Sequence, residues 1–334
     1  MTEKNRKRLL AALLILLLCL TACGAPQEAA PTAEEKSLIV VGFSQVGAES
    51  DWRNANTLSM QTAFSTENGY RLIFDDAQQK QERQITAIRN FINQGVDYIV
   101  LAPTTERGWE TVLTEAKAAG IPVIIVDRMI AADASLYTCW IGSNFRKEGD
   151  TAVTWMESIF GDQPLNIVHL QGNIGSSAQI GRTNGLDAGL RTHGNWTLAF
   201  RAPGDFTQAK GQELVEQVLA DGLLDLSGSA VNVIYSENDN MAYGAIDALK
   251  NAGLTPGEDV IIISVDASST ALRLVLSGEI SYDVECNPLH GPRVRTVIEL
   301  LRAGQTPADK ETFVDETAFV KDDLTEELIS TRGY

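Results

Sequence analysis

Histidine is almost absent from this chain, with three in 334 residues, and His169, His193 and His290 lack the spacing of a metal-binding pair or triad. No Gly-x-Ser-x-Gly elbow occurs, which removes the usual setting of a nucleophilic serine. The Gly-rich fingerprints that cradle phosphates are missing too. Positive charge is scarce: 27 Lys and Arg stand against 44 Asp and Glu, a net charge of −17. A chain this acidic is repelled by nucleic acid and by anionic lipid head groups, so neither is expected as a partner. No cofactor, no metal and no catalytic residue is expected. The adjacent pair Asp75-Asp76 would suit a glycosidase only if held apart across a bond, and more simply marks a polar loop after a strand.

The one long apolar run is Leu9–Leu20. Lys4, Arg6, Lys7 and Arg8 precede it and Leu20-Thr21-Ala22-Cys23 ends it, so residues 1–22 read as a secretory signal too short to span a bilayer. The Leu-Thr-Ala-Cys stretch resembles the bacterial lipobox, whose cysteine is acylated and becomes the mature N-terminus. Residues 23–37, rich in Gly, Ala, Pro, Gln and Glu, read as a flexible tether to a membrane anchor at Cys23. An exported protein, held on the outer face of the cell membrane or in a periplasm, is the expectation. Of four cysteines, Cys19 leaves with the signal. Cys139 and Cys286 are expected as separate buried thiols rather than a disulfide.

From Leu38 onward one unit recurs. A short apolar, β-branched run leads through a loop to an amphipathic helix, a Gly and the next apolar run. Strands are expected at Leu38–Phe43, Leu72–Phe74, Tyr98–Leu101 and Val123–Val126, the last closing the first series. A second series follows at Asn166–Leu170, around Leu198–Phe200, at Val231–Tyr235 and at Val260–Ile263. Continuous apolar strands between helices of period three and four indicate parallel sheets covered on both faces: two doubly wound α/β lobes.

Ligands of such sheets bind beyond the carboxyl ends of the strands. Gln45, Glu49, Ser50, Asp51, Trp52 and Arg53 stand there in the first lobe, then Asp127-Arg128. The second lobe offers Gly175-Ser176 and Arg182, Asp205-Phe206, Asn238-Asp239 and Asp266. Carboxylates, guanidinium groups and amides beside two aromatic rings suit a sugar, whose hydroxyls donate and accept while its C–H faces pack on flat rings. Taken singly, Asn238-Asp239 is a helix cap and Asp127-Arg128 a strand-end ion pair. Their common end of consecutive strands makes the set. Asp127 and Arg128 are expected on a solvent-facing strand end, where replacement spares the fold.

Stretches across the chain carry a family likeness: Val41–Arg53, Gln78–Gln81, Gly108–Glu110, Ile121–Arg128, Leu170–Gly172, Gly204–Thr207 and Asn238–Ala242. As a set they resemble the periplasmic sugar-binding proteins of ABC importers, the ribose/galactose-type receptors that share their fold with LacI-type repressors, and within them the galactofuranose-binding subgroup. The resemblance implies a type I periplasmic binding protein. Its Rossmann-like lobes would be joined by a three-segment hinge: residues 38–143 and 285–318 in the N-terminal lobe, 144–284 and 319–334 in the C-terminal lobe. It further implies that Asp127 and Arg128 grip sugar hydroxyls from one lobe and Arg182, Asn238 and Asp266 from the other. Trp52 and Phe206 would stack on the ring, with Glu49 and Arg53 as the subgroup's additions. Asn287, or Glu285, would face the ligand from a hinge strand, and Asn144 stands where the family carries an acid. A monosaccharide ligand, an ABC permease partner and a monomeric state follow from the likeness. A sensory module signalling to a membrane kinase or chemoreceptor is the alternative, and an enzyme acting on a sugar the third.

Overall fold

The computed structural model describes residues 38–334; the leader, Cys23 and the tether lie outside the described residues. First come β1 (Ile39–Gln45), α1 (Asp51–Ala63), β2 (Tyr70–Asp76), α2 (Gln81–Gln94), β3 (Tyr98–Leu101), α3 (Glu110–Ala118), β4 (Val123–Val126) and β5 (Cys139–Gly142). Then follow α4 (Phe145–Phe160), β6 (Leu165–Gln171), α5 (Ser177–Thr192), β7 (Trp196–Pro203), α6 (Gln208–Ala220) and β8 (Val231–Ser236). Next stand α7 (Asp239–Asn251), β9 (Ile261–Asp266), α8 (Ser269–Ser277) and β10 (Tyr282–Glu285). The last stretch holds α9 (Gly291–Arg302), β11 (Glu311–Phe313), β12 (Ala318–Phe319) and α10 (Glu326–Ser330).

Two six-stranded sheets result, in the orders β11-β5-β4-β3-β1-β2 and β12-β10-β9-β8-β6-β7. All pairings are parallel except that of β12 with β10. Each lobe is therefore a doubly wound α/β unit of the type I periplasmic binding protein kind. The first series does not close at β4, because β5 and β11 extend that sheet, as β10 and β12 extend the second. β10 reads Tyr-Asp-Val-Glu, and its polar sequence hides it from an apolar-run criterion.

Alternation along the strands explains why the sheets need cover on both faces. In β4, Ile124 and Val126 join one core with Val41, Phe43 and Ile298, while Val123 and Ile125 join another with Ile88, Phe91 and Leu113. Helix starts are set locally by capping: Ser50, Asn144, Ser176, Thr207, Asn238 and Ser268 each accept a backbone N–H from the first turn. Gly149 and Gly185 let α4 and α5 touch backbone to backbone, since a Cβ at Gly185 would lie 2.5 Å from the Gly149 carbonyl carbon.

The chain passes between the sheets three times, after Gly142, after Glu285 and between Phe313 and Ala318. Pairing of β12 with β10 puts Ala318 in the second sheet, so the third passage ends at Thr317 rather than Ala318. Cys139 and Cys286 are both free and buried.

Candidate functional site

Strand order reverses beside β1 in one sheet and beside β6 in the other, and the carboxyl ends at these switch points face each other. Between them lies a narrow cavity lined by Glu49, Ser50, Trp52, Arg53, Asp127 and Arg128 of the first lobe and Phe145, Ala178, Arg182, Phe206, Asn238 and Asp266 of the second, with Cys286 on the second passage between them. The lobes are closed on it. Asp51 N donates to Asn240 Oδ1 at 3.0 Å, Met129 N to Ser177 Oγ at 2.8 Å and Glu106 N to Gly175 O at 3.2 Å. Asn173 bridges as well, donating to Gln79 Oε1 at 2.7 Å and accepting from Arg128 Nη2 at 3.2 Å.

Four charged side chains form the wall of the first lobe. Arg53 Nη1 donates to Asp127 Oδ2 at 2.6 Å and its Nε to Glu49 Oε1 at 3.1 Å, while Arg128 Nη2 stands 3.9 Å from Glu49 Oε1. Asp127 and Arg128 are only 3% and 2% exposed, so their strand end faces the closed cleft and not solvent. Burial opposes the charge of Arg53, but Asp127 and Glu49 outweigh it and hold the guanidinium firmly protonated. Burial likewise works against the Asp127 carboxylate, yet Arg53, then Arg128 and His290, keep it below its ordinary range. Arg128 differs: burial, with Arg53 beside it, brings it down to about 10.

In the second lobe Arg182 Nε donates to Glu148 Oε2 at 2.6 Å, Nη1 donates to the Glu237 carbonyl, and Nη2 stands 3.8 Å from Asp266 Oδ1. Burial, with Asp239 beside it, lifts the Asp266 carboxyl well above the ordinary carboxylate range. Phe206 lies between two guanidinium groups, with Arg128 Cζ 5.4 Å and Arg182 Cζ 5.9 Å from its centroid. Gly172 makes room for that ring, because a Cβ there would meet Phe206 Cζ at 1.8 Å. Trp52 is anchored at its polar end, Nε1 donating to the Cys286 carbonyl at 2.6 Å, and carries Arg53 Cζ 4.6 Å from its ring centroid.

Two buried polar atoms of the wall have no protein partner, Glu49 Oε2 and Arg128 Nε. One is an acceptor and the other a donor, each able to meet a hydroxyl. The backbone around the cleft is also unusual. Among the described residues the non-glycine positions with positive φ are Gln78, Gln79, Asp127, Asp205, Phe206, Asp266 and Ala267, all at or just after carboxyl ends of strands. Such strain, of order 1–3 kcal/mol per residue, clusters where side chains must be aimed.

Of the residues singled out from sequence, Glu49, Trp52, Arg53, Asp127, Arg128, Arg182, Phe206, Asn238 and Asp266 come together on this cavity. Four do not. Gln45 spends its amide inside the protein, accepting from Val46 N and Arg53 Nη1 and donating to Asn56 and Thr57. The Asp51 side chain points to solvent as the first residue of α1, and its backbone makes the interlobe bond. Asn144 caps α4, accepting from Lys147 N at 3.0 Å. Asn287 turns away: its Oδ1 accepts from Leu289 N at 2.9 Å, and its neighbour Cys286 faces the cavity, as the two-residue period of an extended chain requires. Phe145, Ala178 and Cys286 were not anticipated. Cys286 directly follows β10, so recognising that polar strand would have found it.

Comparison with known proteins agrees with this architecture. The periplasmic binding protein domain model matches residues 41–289. The galactofuranose-binding protein YtfQ of Escherichia coli (strain K12) is 37% identical over 292 residues, which are 87% of this chain and 90% of that protein. A solved galactofuranose binding protein superposes with a TM-score of 0.83 at 36% identity, covering 89% of this chain and 100% of that one. The periplasmic binding protein component of the arabinose ABC transporter from Shewanella sp. ANA-3, bound to α- and β-L-arabinofuranose, gives a TM-score of 0.79 at 38% identity over 85% of this chain and 92% of its own. With two facing doubly wound lobes, three passages between them and a polar cavity at their switch points, this chain belongs to the periplasmic binding protein family.

Proposed function

We propose that this protein binds one monosaccharide in furanose form between its lobes and delivers it to an ABC-type importer, without catalysing a reaction. The observation that carries the reading is the narrow cavity whose charged walls leave Glu49 Oε2 and Arg128 Nε unpartnered beside the Phe206 and Trp52 rings. Hydroxyls meet the polar atoms and the C–H face of a ring meets the aromatics. The five-membered ring is favoured by two relatives, one named for galactofuranose and one solved with an arabinofuranose. Asp127, Arg128 and Glu49 would hold one side of the sugar, Arg182, Asn238 and Asp266 the other, with Gln45, Asp51, Asn144 and Asn287 acting through the scaffold. Acylation at Cys23 would keep the receptor on the outer face of the membrane, since one chain or two supply affinity that an acidic domain lacks. Cys23→Ser should then release the protein from salt-washed membranes. Retention equal to the parent refutes the anchor.

A sugar screen tests the reading. L-Arabinose and D-galactose, each supplying a small furanose fraction, should raise the melting temperature, as a ligand at 100 times its Kd adds about 2.7 kcal/mol. Glucose should not. A pyranose ring bound in a co-crystal, or equal response to glucose, refutes furanose selection; no response to any monosaccharide refutes the sugar reading.

A further inference from the structure

All three passages between the lobes meet at one buried cluster behind the sugar cavity. Ser143 lies on the first, Cys286 and Asn287 on the second and Glu316 on the third. Glu316 Oε1 accepts from Asn287 N at 2.8 Å and from the Ser143 hydroxyl, whose oxygen is 3.3 Å from Cys286 Sγ. Glu148, in the first turn of α4, completes the group: one ligand atom each from Glu148, Cys286 and Glu316 lie within 4.8 Å of one another. Glu148 Oε2 is taken by Arg182, but Glu148 Oε1 is buried with no hydrogen-bond partner, on a side chain 3% exposed. A groove of about 490 Å³, lined by both Glu148 and Glu316, reaches the cluster.

We propose that Glu148, Cys286 and Glu316 form a binding site for a thiophilic divalent cation, Zn²⁺ in the first instance. Charge supports it. Once a divalent ion displaces their protons, one thiolate and two carboxylates together with Arg182 and the ion sum to zero charge, as a buried site requires. Donor chemistry supports it as well, because one thiolate with two carboxylates suits Zn²⁺. Zinc bonds of ~2.0–2.3 Å at tetrahedral angles set ligands about 3.5 Å apart, so the side chains close by about 1 Å around the ion, with the fourth position open to water from the groove. A cation there ties the three passages together and, through Glu148, fixes Arg182 in the sugar cavity. Ligands at positions 148, 286 and 316 share no local motif, which is why sequence spacing gave no sign of them.

Full-length protein, stripped with chelator and titrated with Co²⁺, should bind one ion per chain with a near-ultraviolet thiolate-to-cobalt band that Zn²⁺ displaces. Cys286→Ser should abolish the band, Cys139→Ser should keep it, and Glu316→Gln should weaken binding at least tenfold with circular dichroism unchanged. Should Cys286→Ser not fold, Glu148→Gln reads the same loss. The proposal is overturned if the parent binds neither ion stoichiometrically, or if the band survives loss of Cys286 or of both carboxylates.

Discussion

Asp127→Asn separates charge from shape more cleanly than any other substitution in the cleft. Asp127 sits at φ +61°, a conformation asparagine tolerates and alanine resists, so the backbone cost of the exchange is small. Asparagine also keeps an oxygen for Arg53 Nη1, which now donates to Asp127 Oδ2 at 2.6 Å. What disappears is one negative charge. Glu49 then faces Arg53 and Arg128 alone, in a wall where all these side chains are at most 4% exposed. Breaking a buried ion pair by removing one partner costs about 3–5 kcal/mol. The retained hydrogen bond places this variant at the lower end, about 3 kcal/mol. At roughly 2–4 °C per kcal/mol for larger domains, the melting temperature of the sugar-free protein should fall by about 6 °C or more. The sign of the pH dependence follows from the depressed folded-state pKa of Asp127. Its contribution is present above the unfolded-state value near 3.8 and is lost as pH falls through the lower folded one, so parent and variant should converge in acid. Thermal melts at pH 7 and pH 3, with titration calorimetry against arabinose, read all three effects. A variant within 1 °C of the parent at pH 7 that binds sugar unchanged refutes the paired-wall account.

Asn173→Ala removes the side chain joining Gln79 and Arg128 across the cleft; sugar dissociation measured by stopped flow should speed about tenfold, and an unchanged rate contradicts a latch there. Asp239, lifted to about 6 by burial despite bonds from Ser264 and the Ser268 N–H, titrates oppositely to Asp127. Its folded pKa exceeds the unfolded one, so its contribution is full below about 3.8 and lost as pH rises through about 6. Asp239→Asn should therefore gain on the parent by about 2 kcal/mol between pH 4.5 and pH 7.5 in urea denaturation, and a constant gap refutes the shift.

Apolar runs and helix periods disclosed eight strands, most plainly the central ones, because buried parallel strands must be apolar on both faces, as Tyr98–Leu101 and Val123–Val126 are. Four strands escaped: β5, β10, β11 and β12. β11 and β12 are three- and two-residue strands at the sheet edges, β11 with every residue exposed; β10 is polar inside its sheet, and β5 is a four-residue run that no full helix separates from β4. The cavity wall was legible because strand ends of a doubly wound sheet converge by topology alone. What sequence left open was which way a side chain turns. Gln45 ends β1 and Glu49 follows it, both polar, and only the fold shows the first buttressing Arg53 and the second lining the cavity. The same holds for Asn287 and Cys286, one residue apart and on opposite sides.

Closure itself has an energetic logic in these contacts. Direct bonds between the lobes are few: those of Asn240, Ser177 and Gly175 with facing backbone N–H groups, and the two made by Asn173. At about 1 kcal/mol net for each neutral bond, they amount to a few kcal/mol, against the freedom lost when the hinge closes. The open–closed equilibrium is therefore a small difference between comparable terms, within reach of a ligand. Shifting it from mostly open to mostly closed needs a differential affinity of about 5.5 kcal/mol. Hydrogen bonds to charged groups give about 1.5–3 kcal/mol each, so two or three made only when both walls are within reach suffice. Glu49 and Arg128 stand on one wall, Arg182 and Asp266 on the other, and a hydroxylated ring that engages only one lobe gains none of the difference. Placing charged partners on both walls is thus what lets a small polar ligand set the conformation of the whole molecule.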